Sequence, residues 1–361
     1  MRRGSALAQG GLDLLLELLA VGGPAGAEGP AAAVVRRCWG DLADAVGGDA
    51  MGNVWALRGG TEPAPRPRLV LAAHLDVIGL QITACLPGGF LRFAGLGGID
   101  GRCLPGRQVM IAGRSPVPAV VCAPPPTRPG IATIEDMALD TGLPDAELAA
   151  AVRPGDRAHF ATAPMRLLGD RIAGSGLDNR AGVAALHEAL GLLGTRQPPC
   201  DLVVVANVQE ELGLRGIGAV LRQLRPAAVL IVDTGFGGQP GADEHRTLAC
   251  GGGPALAVGP GLHPAVGELL ELEAARLDIP LQREVIAGPS GTDAWAAQVA
   301  AGPAAVGLLS IPLRSMHTTA ETVDYADVRG CAELLAAFVA AASAEWVAGL
   351  APPLAGMGTA R

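Results

Sequence analysis

The chain contains no lysine; all 27 of its basic residues are arginine. That usage fits a GC-rich genome better than any demand of function, and no function is read from it. Aromatic residues make up only 3%, with four Trp and one Tyr, too few to suggest the stacking platforms that sugar-cleaving enzymes favour. The seven cysteines (38, 85, 103, 122, 200, 250, 331) are odd in number and scattered, with no Cys-x-x-Cys pair. This excludes a disulfide framework and a thiolate zinc site, and leaves free thiols in a reducing cytoplasm as the expectation. No arginine cluster with interleaved aromatics occurs, so nucleic acid is not an expected partner. No stretch reaches the ~18 charge-free apolar residues of a membrane span. The run Leu12 to Val21 follows Arg2 and Arg3, but Asp13 and Glu17 interrupt it, and it reads as an amphipathic first helix rather than a secretion signal. A Gly-x-Ser-x-Gly elbow is missing, which argues against a serine nucleophile despite Ser310 and Ser315 near His317. The glycine runs GFGG (235–238) and CGGGP (250–254) lack the Lys-Ser/Thr ending of a phosphate loop and read as tight loops.

What remains is a 361-residue chain, half hydrophobic, with 52 Gly and 29 Pro and a formal charge of −8 spread along it. Its apolar content is mostly Ala, Val and Leu, which suits packed helices and parallel strands. The length favours one large domain carrying a smaller one. Helical periodicity covers 12–20 and 30–45, followed by a short extended run, Val54 to Arg58, and a proline-rich loop at 61–68. Continuous apolar runs at 68–74, 201–208, 227–233 and 304–311 have the pattern of strands buried on both faces. Helical patterns at 180–193, 215–224, 264–278, 293–301 and 326–348 lie between and after them, the alternation of a doubly wound, mostly parallel sheet flanked by helices. Residues 80–163 differ: short runs broken by Gly and Pro with one brief helical pattern at 145–152. The expectation is an α/β domain formed by 1–79 and 164–361, with a small β-rich domain inserted at 80–163. There is no internal repeat, and the Gly/Pro-rich stretch after 349 reads as a frayed end.

Ionisable residues gather where the expected strands end, the place where such sheets bind ligands. RLVLAAH delivers His74, with Asp76 two residues on to orient the imidazole. DLVVVANV runs into Gln209-Glu210-Glu211, adjacent acids that can divide metal ligation and proton transfer between them. AAVLIVD closes on Asp233. GSGLDNRAG offers Asp178 before a helix, where an N-cap role is the alternative. IPLRSMHTT delivers His317, with Arg314 and Glu321 nearby. Two His and at least three carboxylates form a nitrogen and oxygen donor set suited to Zn²⁺ or Co²⁺. Five ligands exceed one open tetrahedral site and suit two ions sharing a carboxylate.

At this point the chain resembles the dinuclear zinc aminopeptidases that include tetrahedral, deblocking and glutamyl aminopeptidases, some of which carry an endoglucanase name. The matching segments are PAGAEGP (24–30), DAMGN (49–53), AAHLDVIG (72–79), GLDNRAGV (176–183), VQEELGLRG (208–216), IVD (231–233), SGTDAW (290–295) and PLRSMHTTAE (312–321), with GGID…LPGRQVMI and the LDTG…VRPGD stretch in the insert. The resemblance implies a zinc-exopeptidase-like fold. It implies that His74 and Asp233 hold one ion, Glu211 and His317 the other, and Asp178 bridges, with Glu210 as general base and Asp76 supporting His74. It also implies short peptides with a free N-terminus as substrates, and self-assembly through the insert toward a dodecamer. Thr292 and Asp293 read as a helix cap that the resemblance allows to line the pocket. Departures from the family pattern are Val77 in place of Glu, Ser315-Met316 in place of Tyr-Ile, and Thr318 in place of Ser. A related deacylase or carboxypeptidase is the alternative; it would need a cationic subsite, for which Arg180 and Arg314 are the candidates. A non-catalytic metal-binding scaffold fits poorly beside Glu210.

Overall fold

The computed structural model describes residues 4–124, 133–302 and 304–350. In chain order the first half contains α1 (Gly4–Ala20), α2 (Gly29–Trp39), β1 (Ala45–Gly48), β2 (Val54–Arg58), β3 (Arg68–His74), β4 (Gly79–Leu86), β5 (Phe90–Leu96), β6 (Gln108–Ala112), β7 (Pro116–Cys122), β8 (Ala138–Asp140), α3 (Asp145–Ala151), β9 (Arg157–Phe160), β10 (Met165–Arg166) and β11 (Arg171–Gly174). The second half contains α4 (Leu177–Leu193), β12 (Asp201–Asn207), α5 (Arg215–Leu224), β13 (Ala228–Phe236), β14 (Ala255–Val258), α6 (Pro264–Leu277), β15 (Gln282–Val285), α7 (Asp293–Ala300), β16 (Ala305–Arg314), β17 (Glu321–Asp324), α8 (Tyr325–Ala341) and α9 (Ala344–Leu350).

Eleven of the strands form one sheet in the order β1-β2-β12-β3-β13-β16-β17-β11-β10, with β14 and β15 attached beside β16. Its centre, β12-β3-β13-β16, is parallel. The margins are antiparallel. The apolar run of β3 shows why the centre is buried on both faces. Leu69, Leu71 and Ala73 enter the core with helices α1, α4 and α8, whereas Val70 and Ala72 enter the opposite core with α5 and α7. Strand alternation makes this split, and each buried Leu or Val removes enough apolar surface to contribute about 1.5–3 kcal/mol.

The strands between Gly79 and Phe160 close into a separate small barrel, β4-β5-β8-β7-β6-β9. Its interior is filled by alternating side chains such as Leu80, Ile82, Leu91, Val109, Ile111, Val121 and Leu139, and Leu148 of α3 joins that core. The molecule is therefore a mixed α/β domain with helices on both faces of its sheet, carrying a β-barrel domain.

Three sequence expectations are corrected, and the alternative cap role of Asp178 is removed while the helix at 180–193 stands. The helix expected over 30–45 ends at Trp39, and Ala45 to Gly48 instead pair with β2. The pattern at 326–348 is two helices meeting at 95°, because Ser343 accepts a hydrogen bond from the Trp346 N–H and starts a new helix. β13 and β16 run past Asp233 and Ile311, to Phe236 and Arg314. The helix after GSGLDN turns regularly only from Arg180, since Asp178 and Asn179 have non-helical backbone angles. The cap there is Asn179, whose side-chain oxygen accepts from the Gly182 N–H. Asp178 is left free for other work. The stretch after 349, apart from Leu350 in α9, lies outside the described residues. Among the described residues no single helix is long and apolar enough to cross a membrane.

Candidate metal centre

β3 ends at His74 with its ring 2% exposed. The His74 Nδ1 lies 3.0 Å from the Asp76 backbone carbonyl. A carbonyl can only accept, so Nδ1 carries a hydrogen, and the neutral imidazole would present its lone pair at Nε2. That nitrogen faces Asp178 Oδ1 at 3.3 Å and Asp233 Oδ1 at 3.5 Å, with Glu210 Oε2 at 4.0 Å. On the other side, His317 Nε2 lies 3.3 Å from Asp178 Oδ2 and 3.5 Å from Glu211 Oε1. The two oxygens of Asp178 thus face two different histidines. Two groups of potential ligands result, His74 with Glu210 and Asp233, and Asp178 with Glu211 and His317.

The role expected for Asp76 changes in detail. Its carboxylate is 3.8 Å from His74 Nδ1, too far to be the hydrogen-bond partner, which is its own backbone carbonyl. The carboxylate instead accepts the Glu210 and Glu211 N–H groups at 3.0 and 3.1 Å. Asp76 therefore positions both acids as well as the imidazole.

Several positioning residues escaped a residue-by-residue reading. Glu321 accepts from the N–H groups of Gly176 and Asp178 with one oxygen and from the His317 N–H with the other. Glu28 accepts from the Gln209 N–H. Asn53 accepts from Val208 N–H and donates to the Gly216 carbonyl, clamping the loop that carries Glu210 and Glu211. Glu28 and Asn53 lie in the PAGAEGP and DAMGN segments, whose resemblance to the family was their only signal. Gln209, Ser315 and His317 all have φ between 54° and 60°, a left-handed conformation that non-glycine residues hold only when surrounding bonds fix it. The barrel also reaches the centre. A Cβ on Gly97, φ +81°, would stand 2.7 Å from Glu211 Oε2, and one on Gly98 would stand 2.8 Å from His317 Nδ1. Only glycine lets that loop approach so closely.

Thr292 caps α7 by accepting from the Ala294 N–H, and it also lines the cavity over the centre. Asp293 is buried and accepts from the Asn207 side chain at 2.6 Å. Arg314 is not brought to the cavity; its Nε donates to the Gly238 carbonyl. Arg180 is buried, its guanidinium bonded to the Leu18 and Val21 carbonyls. Of the departures, Val77 packs under Gly176, Ser315 bonds Gln239, Thr318 accepts from the Ala320 N–H, and Met316 lines the cavity.

The donor set is electrostatically unbalanced. Burial pushes Glu210 up to about 10 against the pull of His74, with Asp233, Asp293 and Glu211 adding to the rise. Burial likewise lifts Glu211 to about 7, Glu321 to about 8 and Asp293 to about 7. Asp178 goes the other way: burial would raise it, but the facing imidazoles of His317 and His74 hold it below the carboxylate range. His74, which burial alone would lower, is raised well above its usual value by Glu210, Asp178 and Asp233. Asp178 Oδ1 and Glu211 Oε1 are buried and accept no hydrogen bond. So many buried acids require compensating positive charge, and the donors fit divalent cations.

The sequence profile of the M42 glutamyl aminopeptidases matches residues 52–334. The chain belongs to that family. A relative from Pyrococcus furiosus, a lysyl aminopeptidase, is 32% identical over 309 residues, which cover 83% of this chain and 88% of the relative. The glutamyl aminopeptidase of Lactococcus lactis is 26% identical, covering 93% and 98%. Among solved structures, an aminopeptidase from the archaeon Desulfurococcus kamchatkensis superposes with a TM-score of 0.89 at 29% identity, over 96% of this chain and 99% of that one. The TET1 peptidase of Pyrococcus horikoshii, reported to assemble into a tetrahedron or a large octahedral shell, gives 0.81 at 28% identity over 91% and 99%. This M42 chain is thus a peptide hydrolase, and its family is one of metal-dependent aminopeptidases.

Proposed function

We propose that this M42 chain removes the N-terminal residue of short peptides with two divalent ions, Zn²⁺ or Co²⁺, and with Glu210 as general base. The observation that carries the reading is Asp178 facing His74 with one oxygen and His317 with the other. His74 and Asp233 would hold one ion, His317 and Glu211 the other, and Asp178 would be shared. When bound, the two ions would supply Lewis acidity toward the scissile carbonyl and acidify water. Glu210 sits beside this centre with its carboxylate turned toward His74, suited to take a proton from water and return it to the leaving amine. Asp76 fixes the Glu210 backbone, and Thr292 lines the adjacent wall of the cavity.

The deacylase or carboxypeptidase alternative gains no support. Among the described residues no arginine lines the cavity of about 200 Å³ that opens on the centre, so a substrate carboxylate finds no guanidinium from them there. Phe236 is the one Phe, Trp or Tyr lining it among the described residues, which counts against glycan cleavage. The shells of the TET1 peptidase and the dodecamer of another solved structure, PhTET1-12s, support a homo-oligomer, a dodecamer among the candidates, with 1–79 and 164–361 as the catalytic part and 80–163 as the assembling part. The seven free thiols fit a cytoplasmic setting.

Hydrolysis of aminoacyl-anilides and of free and N-acetylated peptides tests the reaction. Activity on free N-termini that disappears with chelator and returns with Zn²⁺ or Co²⁺ is the expected result; cleavage of blocked or C-terminal substrates alone would overturn it. Glu210→Gln is expected to lose about 10²–10⁴-fold in rate while binding metal in titration calorimetry as the wild type does. Near wild-type turnover would remove Glu210 from its role. The relatives' names point to opposite charges on the residue released, lysyl and glutamyl, so they leave the side-chain preference open.

A further inference from the structure

Four acids line the cavity over the metal centre, Asp178, Glu210, Asp233 and Glu284, and Glu284 alone has no part in the proposed metal and proton-transfer scheme. Asp233 of β13 and Ser310 of β16 are register partners in neighbouring parallel strands and therefore point to one face of the sheet. Ser310 donates its hydroxyl to Glu284 Oε2 at 2.6 Å, from β15 two strands away. Glu284, Ser310 and Asp233 all line the cavity, together with the apolar side chains Phe236, Ile286, Leu308 and Met316. Glu284 Oε1 lies beside Gly235, 3.6 Å from where a Cβ would stand. Among the described residues Glu284 makes no ion pair: its neighbour Arg283 is paired with Glu271, and Arg314 is engaged by Gly238. Burial and the charge of Asp233 push its carboxyl up, and only the Ser310 bond opposes them.

We infer that Glu284 is the specificity-determining residue of this cavity and selects a cationic N-terminal side chain, lysine or arginine. The inference rests on the aminopeptidase reading above. The physical reason is one of matching groups. A carboxylate held by a single hydroxyl, in a cavity that Phe236, Ile286, Leu308 and Met316 also line, needs a cation to offset its desolvation. The methylenes of a lysine or arginine side chain match the apolar walls, and its charged head reaches the acid. An acidic substrate side chain would meet Glu284 as a like charge. A neutral aliphatic one would leave the carboxylate desolvated and unpaired.

The test compares lysyl-, arginyl-, norleucyl- and glutamyl-anilides on the metal-loaded enzyme and its Glu284→Gln variant, norleucine being lysine without its ammonium group. The wild type is expected to prefer lysyl and arginyl over norleucyl substrates by about 10- to 100-fold in kcat/KM. Glu284→Gln is expected to remove that preference, with lysyl and arginyl hydrolysis falling and norleucyl hydrolysis holding or rising as the unpaired charge is removed. Equal or inverted wild-type preference overturns the inference, with no need for the variant to fold. An equal loss on all substrates in the variant also overturns it, because Glu284 would then hold the common α-ammonium group. Calorimetric binding of L-lysinol and L-norleucinol to the wild type reads the same selectivity without turnover. Selective lysinol binding without any anilide cleavage would uphold the cation site and sink the aminopeptidase reading.

Discussion

Tyr325 opens α8 and donates its hydroxyl to Glu188 of α4 at 2.8 Å, inside the packing of α4 against α8. Tyr325→Phe keeps the ring but deprives a buried carboxyl of a donor, and it should cost about 1–3 kcal/mol, read from urea denaturation midpoints. A second buried group sets a pH dependence. Burial lowers His187 to about 4, and its Nδ1 makes no hydrogen bond. Its value in the unfolded chain is the usual 6.5, so between these values the unfolded state binds more protons. Its contribution to stability is therefore complete above 6.5 and is lost as pH falls toward 4. His187→Leu should flatten the fall in melting temperature across that window; an unchanged slope would show that His187 does not cause it.

At the scale of elements, the centre depends on loops held from a distance. The loop after β12 carries Glu210 and Glu211 and is clamped by Asn53 from the turn before β2. Asn53→Ala leaves the Val208 N–H and Gly216 carbonyl without that clamp. It should lower stability by about 1–3 kcal/mol and weaken metal binding in calorimetry, although Asn53 is no ligand. The loop after β5 acts from the barrel. Gly98→Ala would drive a Cβ to 2.8 Å from His317 Nδ1. Metal affinity should fall, and equal affinity by titration would show that His317 moves aside without consequence. These two loops explain how the barrel and the first turns of the chain influence a centre whose ligands all lie in the α/β domain.

For the whole molecule, cations bound at the centre are linked to folding because the acids gather only in the folded state. A ligand at a hundredfold excess over its Kd adds about 2.7 kcal/mol, so chelation should lower the melting temperature and Zn²⁺ or Co²⁺ should restore it. A melting temperature indifferent to chelator and metal would contradict a metal centre of this kind. Assembly is a separate matter. Light scattering is expected to show a mass well above one 36.3 kDa chain, and a monomer mass alone would remove the oligomer proposal.

The sequence by itself determined the central strands, the placing of four of the five proposed ligands in or just beyond those apolar runs and of Asp178 before a helix, and the different texture of the barrel segment. It could do so because a strand buried on both faces is continuously apolar, and a charged residue closing such a run is conspicuous. The tertiary structure decided what periodicity does not encode. Asp76 serves the Glu210–Glu211 backbone with its carboxylate and His74 with its carbonyl, a division that depends on where two loops meet. Glu284 carried no signal in the sequence, and only the placing of β15 two strands from Ser310 brings it to the cavity. Arg314 looked like a candidate for the substrate until its guanidinium was seen bound to Gly238. Polar contacts between segments far apart in the chain leave no local pattern, because their energy depends on distance in space and on exclusion of water, both of which appear only when the sheet has assembled.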